Sequence, residues 1–563
     1  MRREVSVVNK KVCSFPILFA LLALLIGTCA VVFPASAQAA PTSTGSITVG
    51  GTVARSYDAY QIISANVVDG DSDARTATDL AWASDTVRDA ALPVLHSAGM
   101  PNSQTTAQEA AEWLNTDSHL ASALSARLAR SLQSSGAVPV ALNAGTAAEL
   151  PCGYWLILAD DDAIAQGEAG TAPIMALVGG SAVTVKPKAA TPKVAKHVLE
   201  DSTAAWQKAA DATVADDLYW RLSVTVPSGL TAYDTYTVQF VDTMSAGLDP
   251  SKVTASMRVY VAAGADGGFD AVSTGKDGRV GAEPAKGWTD ITAQCATKVA
   301  ADGKTFTVRT GDLIAALGGA DAFTAGARVV AVYNAPLNSA CNHGIAKGNP
   351  NEVYLRYPRS PFADQSGDAG FTHTPSDDAC AYTWDLALTK RGSDGDKPLA
   401  GAVLSIADDR GRTLAADGTW DAEGKATVTT GEDGRVTVSG VGSGKLEVRE
   451  LKAPKGYTAF EGTRSVTVKA EGLDVDQVAA AKPKLTITAE SPLRADSADG
   501  STGSLEASLI NTPTGTPPSI TTGGFMPSTG DMAMYAAAAA AVAGAALVVV
   551  ALLVKRGGGS HKE

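Results

Sequence analysis

Two uncharged apolar runs, one near each end of the chain, set the conditions under which everything between them must fold. The first, residues 15–33, follows Arg2, Arg3, Lys10 and Lys11 and gives way to Ala35, Ser36, Ala37, Gln38 and Ala39. A basic start, an apolar stretch and A-x-A steps mark a secretory signal peptide cut after Ala37 or Ala39, so residues 1–39 are expected to leave. The second run, residues 533–554, has the length a bilayer core requires, and Lys555 and Arg556 follow it as a stop to transfer. The chain between them is expected to fold outside the cell.

That mature stretch of roughly 490 residues is too long for one core and suits three domains of about 130 to 190 residues. Its fold class reads as mainly β. Val and Thr alternate in short runs, 55 glycines supply turns, and helical periods are few after the first domain. The formal charge of −13 comes with scattered Lys and Arg, which excludes a basic stripe for nucleic acid. Of six cysteines, Cys13 and Cys29 leave with the signal peptide. Cys152, Cys295, Cys341 and Cys380 are disulfide candidates in an oxidising exterior, with three connectivities open. They are spread too widely for a close-spaced zinc motif.

The first domain, 46–188, opens with strand patterns at 46–53 and 57–68. It then changes period: Thr106 to Glu109 reads as a capping box, and Leu120, Leu124, Leu128 and Leu132 recur along one helical face, a core stripe. Strands return at 154–158 and 182–185. The second domain, 189–378, shows strand runs at 220–226, 235–241, 256–261, 305–309, 328–333 and 352–357. The third, 379–512, shows them at 383–389, 402–407, 435–438, 445–450 and 463–469. Residues 513–525, rich in Pro, Thr and Gly, read as an extended spacer.

Just before the second apolar run stand Met526, Pro527, Ser528, Thr529 and Gly530. Pro527 pre-sets an extended kink, and Thr529 presents a carbonyl that a cysteine thiolate can take while Gly530 leaves. Pentapeptide, apolar helix and basic tail in this order (526–563) resemble the cell-wall sorting signal recognised by sortases, with Met526 where the usual form has Leu. The resemblance implies cleavage between Thr529 and Gly530, residence in the membrane only before sorting, and covalent attachment to peptidoglycan.

In the third domain, Leu386 to Lys390, Lys397-Pro398-Leu399-Ala400-Gly401-Ala402, Glu432-Asp433-Gly434-Arg435-Val436 and Glu450-Leu451-Lys452-Ala453-Pro454-Lys455-Gly456-Tyr457 follow one another. They resemble the Cna B-type (SpaA-like) domain of Gram-positive pilins and adhesins, the last segment being similar to its E-box with Leu451 in place of Thr. That family joins a Lys on the first strand to an Asn on the last by an isopeptide bond, assisted by the E-box acid. The resemblance therefore implies Lys390, Asn511 and Glu450 in those roles. The physics is compatible: burial lowers a Lys pKa and raises a Glu pKa, so both can be uncharged together, and folding supplies the proximity.

The second domain, through Thr191 to Val198, Trp220 to Pro227, Phe240 to Leu248 and Gly348 to Val353, resembles the isopeptide-forming fimbrial domain that precedes such modules. Lys196 would be nucleophile, Asp242 acid and Asn351 acceptor, with Lys193 and Asn349 as competitors. Val183-Thr184-Val185-Lys186-Pro187-Lys188 is similar to the pilin motif Val-Tyr-Pro-Lys, which makes Lys188 the candidate amine for polymerisation. The resemblances imply Ig-like β-sandwiches (Cna A- and Cna B-like) in a row, a helical insert in the first domain and a C-terminal transmembrane helix.

Other motifs are set aside. Residues 440–445 have the wrong glycine spacing for a phosphate loop, with Leu446 where Ser or Thr is needed, and read as a turn. Asp69, Asp71 and Asp73 alternate like a calcium loop, but Ala74 and Leu80 stand where Gly and Glu are required. No metal or cofactor site and no catalytic cluster of a hydrolase is found. The expected function is structural, not enzymatic: a sortase-processed fimbrial subunit whose partners are the sortase, other pilin subunits and the wall, serving adhesion. The rival reading is a monomeric wall-anchored adhesin for a host matrix protein or glycan.

Overall fold

The computed structural model describes residues 43–50, 55–70, 75–116, 120–160, 168, 171–187, 191–230, 232–276 and 278–515. The expected signal peptide, Lys188, Met526 to Gly530 and the apolar segment 533–554 lie outside the described residues. The architecture is mainly β, arranged as three successive groups of sheets.

In the first group the strand Thr44–Val49 lies between Ala147–Pro151, antiparallel, and Val183–Val185, parallel. The long strand Ser56–Asp69 runs between Arg75–Trp82 and Gly153–Ala159. Thr106 caps the helix Ala107–Leu114 with both bonds of the capping box in place. In the helix Leu120–Ser135, Leu124, Leu128 and Leu132 are buried in one core with Val87, Ala91 and Leu95. Those three belong to the helix Asp85–Ser97, which the sequence reading does not anticipate.

The middle group is a sandwich. One sheet carries Lys193–Glu200, Tyr219–Val226 and Ala327–Asn334 side by side. The facing sheet carries Gln239–Met244 between Thr305–Arg309 and Asn349–Pro358. Their inward residues, Trp220, Leu222, Phe240, Phe306, Val308, Val353 and Leu355 among them, form one core. The strand Asp377–Tyr382 pairs with Asn349–Pro358, so this sheet continues across the expected boundary at 378/379.

In the third group Trp384–Gly392 pairs antiparallel with Arg435–Val441 and parallel with Ser504–Pro513. The second sheet sets Gly444–Lys452 between Val403–Ala407 and Thr463–Glu471. The strands Lys484–Ala489 and Leu493–Asp499 complete the pair of sheets.

The four cysteines are all free thiols, which corrects the disulfide expectation. Local packing has taken each up separately. Cys152 is packed with Ala65, Val67 and Ala77, and Cys295 donates to the Ile291 carbonyl at 3.3 Å. Cys341 packs against the middle core, and Cys380 against the third core with Tyr382 and Trp384. Burial pushes the thiols of Cys295, Cys341 and Cys380 up to about 11, away from the reactive thiolate.

Middle and third groups meet in a hydrogen-bonded joint built from the glycine-rich turn that the sequence offers as a phosphate-loop decoy. Asp211 Oδ2 accepts from Trp384 Nε1 at 2.7 Å, Ser443 N at 2.6 Å and Ser443 Oγ at 2.9 Å. Val214 N donates to the Gly440 carbonyl at 2.8 Å. Gly440 has φ +73°, and a Cβ there would lie 2.3 Å from Val214 Cγ2, so both the backbone and the contact require glycine.

Burial first, then the neighbouring Glu200, pushes the carboxyls of Asp211 and Asp201 up to about 7. These values exceed that of an unfolded Asp, about 3.9. The folded joint therefore holds protons that the unfolded chain has released, and stability rises as pH falls through about 7. Asp211→Asn keeps an acceptor but removes the titration. Going from about pH 8 to about pH 5, the wild type is expected to gain on this variant in urea midpoint. A midpoint difference that stays flat with pH would contradict the assignment.

Candidate functional site

Strand phase places a lysine in each sandwich core. On Trp384–Gly392 the buried face reads Trp384, Leu386, Leu388, Lys390, so Lys390 occupies the fourth apolar position and is 0% exposed. Lys196 shares a face with Val198 and is likewise 0% exposed. On their own strands Glu450 follows Leu446 and Val448, Asn511 follows Leu505, Ala507 and Leu509, and Asn351 precedes Val353 and Leu355, all on buried faces. An ionised side chain buried in such surroundings is costly unless it is paired or neutralised.

In the middle sandwich Lys196 Nζ bonds to Asp242 Oδ2 across the space between the two sheets. It also donates to the Tyr333 hydroxyl at 2.9 Å. That hydroxyl donates to Asp242 Oδ2 at 2.9 Å and accepts from Asn351 Nδ2 at 2.8 Å. Asp242 Oδ1 and Asn351 Oδ1 are buried with no hydrogen-bond partner. The amine stands 5.5 Å from the ring centroids of both Trp220 and Tyr333. Burial pulls the Lys196 amine down to about 8 against the opposing pull of Asp242. It also pushes the Asp242 carboxyl up against the pull of Lys196. Both shifts favour the uncharged forms.

The competing residues are placed elsewhere. Lys193 is exposed. Asn349 spends its amide on a turn: Oδ1 accepts from Asn342 N at 2.8 Å, and Nδ2 donates to the carbonyls of Asn342 at 2.9 Å and Ala381 at 3.2 Å.

In the third group Lys390 and Asn511 lie on neighbouring parallel strands, and Glu450 reaches them from the facing sheet. Lys390 Nζ is 3.5 Å from Glu450 Oε1 and donates to the Leu509 carbonyl at 3.3 Å. Asn511 Nδ2 donates to Glu450 Oε1 at 2.8 Å and to Oε2 at 3.0 Å. Phe460 N steadies the same carboxyl at 3.1 Å. Asn511 Oδ1 is buried without a partner. Burial pulls the Lys390 amine down to about 8, with Glu450 opposing.

Each trio thus sets an amine that burial makes easier to deprotonate near a carboxamide, with a carboxyl beside the amine. Tyr333 and Phe460 are members that sequence reasoning does not supply. Their strands and loops read as ordinary packing, and only the three-dimensional pairing brings them to the trios.

Residues 385–482 match the SpaA prealbumin-like fold domain family, a span that contains Lys390 and Glu450. The chain is 30% identical over 143 residues to the trypsin-resistant surface T6 protein of Streptococcus pyogenes serotype M6. That alignment covers 24% of this chain and spans about a quarter of the relative's length, 24%. Among solved structures, the T6 backbone pilin of serotype M6 Streptococcus pyogenes aligns at TM-score 0.45 with 17% identity, covering 85% of this chain and 100% of that one. The major pilin SpaD of Corynebacterium diphtheriae aligns at TM-score 0.40 with 15% identity, covering 85% and 100%.

The burial of the two amines has a direct check. When a folded variant carrying Asn351→Ala and Asn511→Ala is treated with acetic anhydride, exposed Lys193 and Lys397 should be acetylated while Lys196 and Lys390 stay unmodified in peptide maps. Comparable labelling at all four would contradict the packing described.

Proposed function

We propose that this chain is a structural subunit of a cell-surface fimbria, crosslinked within itself by two autocatalytic Lys–Asn bonds, Lys196 to Asn351 and Lys390 to Asn511. The observation that carries the reading is the pair of buried amine, carboxyl and carboxamide trios, one in each sandwich. Once neutral, the Lys amine attacks the Asn Cγ, and the carboxyl of Asp242 or Glu450, when protonated, can hydrogen-bond the amide oxygen as charge builds there. The C–N bond to Lys forms, the C–N bond to the old amide nitrogen breaks, and one ammonia leaves. In the third domain, donation to Oδ1 requires the Asn511 amide to turn over.

Assembly on this reading uses the chain's ends. A sortase cuts between Thr529 and Gly530 and passes the Thr529 acyl group to an amine of a neighbouring subunit or of peptidoglycan. The amine offered by a neighbouring subunit is Lys188. Lysine distribution supports that choice: between Lys11 and Lys186 the chain has none. The N-terminal domain therefore offers its first ε-amines only at its C-terminal edge. The fimbrial reading places the protein at the cell surface, with adhesion as the service of the fibre.

Intact mass of the secreted ectodomain tests the crosslinks. It should fall short of the calculated value by two ammonias, Lys196→Ala and Lys390→Ala should each restore one, and a full calculated mass in wild type would end the proposal. Loss of the Lys390 to Asn511 closure should also cost on the order of 4 to 5 kcal/mol of stability, read from denaturant unfolding. For assembly, a ladder of covalent high-mass species in the native host should vanish in Lys188→Ala. A wild type without any ladder would select the monomeric adhesin instead.

A further inference from the structure

Within the middle trio, Tyr333 is the side chain that bonds to the amine, the carboxyl and the carboxamide at once. We propose that Tyr333 is a catalytic residue of the Lys196 to Asn351 condensation, carrying the proton that must move from the attacking amine to the departing amide nitrogen. The inference rests on the isopeptide reading given above.

The proton balance creates the need. When the neutral Nζ of Lys196 attacks Asn351 Cγ, the new C–N bond leaves Nζ with one proton too many. The old amide nitrogen needs one more proton before it can leave as ammonia. Both atoms already bond to the same oxygen, Nζ at 2.9 Å and Nδ2 at 2.8 Å. Once the carbon is tetrahedral, the amide nitrogen regains a lone pair and becomes an acceptor. The phenol then takes the proton of Nζ as it gives its own to Nδ2, the bond from Cγ to Nδ2 breaks, and ammonia departs. Tyrosine and Asp242 end in the forms in which they began, and no oxidant or other reactant is consumed.

Geometry fits the part. Tyr333 is 0% exposed, and Phe306 holds its ring edge to face at 4.8 Å between centroids. Its hydroxyl accepts twice and donates once, to Asp242 Oδ2, so no competing water is required to satisfy it. The third domain shows why one trio has this member and the other does not. There Glu450 Oε1 alone lies 3.5 Å from Lys390 Nζ and 2.8 Å from Asn511 Nδ2, so a single carboxyl oxygen spans both nitrogens. Asp242 is one methylene shorter, and the hydroxyl of Tyr333 makes up the reach.

The test is a time course of intact mass on freshly synthesised full-length ectodomain, wild type against Tyr333→Phe. The third-domain ammonia serves as an internal clock and should leave at the wild-type rate in both. The second ammonia should leave about 100-fold more slowly in the variant, within the usual range for a lost proton carrier. Loss of both ammonias on the wild-type schedule in Tyr333→Phe overturns the proposal. A wild type that never loses the second ammonia overturns the isopeptide reading of this domain, and the role of Tyr333 with it. Should Tyr333→Phe fail to fold, a ring-fluorinated tyrosine placed at position 333 keeps ring and hydroxyl but lowers the phenol pKa. It should shift the pH profile of the condensation, and an unmoved profile overturns the proposal.

Discussion

A lysine amine held inside an apolar sheet face is the constraint around which each sandwich is arranged. Water would solvate that amine far better than the core does, so the fold must supply a partner, a neutral form, or both. Lys196 meets this demand with Asp242 and Tyr333, and Lys390 with Glu450 and the Leu509 carbonyl. The aromatic walls around Lys196 leave its amine poorly solvated, so the same packing that holds the chain together also lowers the amine's pKa.

The two trios join different parts of their domains. Lys196 belongs to one sheet of the middle sandwich, while Asp242 and Asn351 belong to the other, so a bond there ties the layers face to face. Lys390 and Asn511 lie on adjacent strands of one sheet, so a bond there ties the beginning of the domain to its end. Glu450 faces them from across the core, and its longer side chain reaches both nitrogens.

Much of this was legible because strand periodicity is rigid. The run 305–309 falls on the strand Thr305–Arg309, and the run 383–389 falls on the strand Trp384–Gly392, whose alternation buries Lys390 with Trp384, Leu386 and Leu388. What was not legible has physical causes. The helix Asp85–Ser97 contains Pro93 and a face of small alanines, which weakens its apolar signature. The sheet of the middle sandwich extends through Asp377–Tyr382 because its partner strand, Asn349–Pro358, still has an edge to fill. Tyr333 carries no local mark, since its role depends on three residues from three other strands. The turn 440–444 has glycines for close approach to the preceding domain, a reason no single-chain pattern can reveal.

The parallel pairing of Trp384–Gly392 with Ser504–Pro513 has a consequence for a chain under load. Tension enters the third domain at the start of one strand and leaves at the far end of its neighbour. The two are therefore dragged past each other lengthwise, and their hydrogen bonds are strained together in shear instead of being peeled open one after another. Even before any covalent closure, this domain resists being drawn out along the axis on which it is strung.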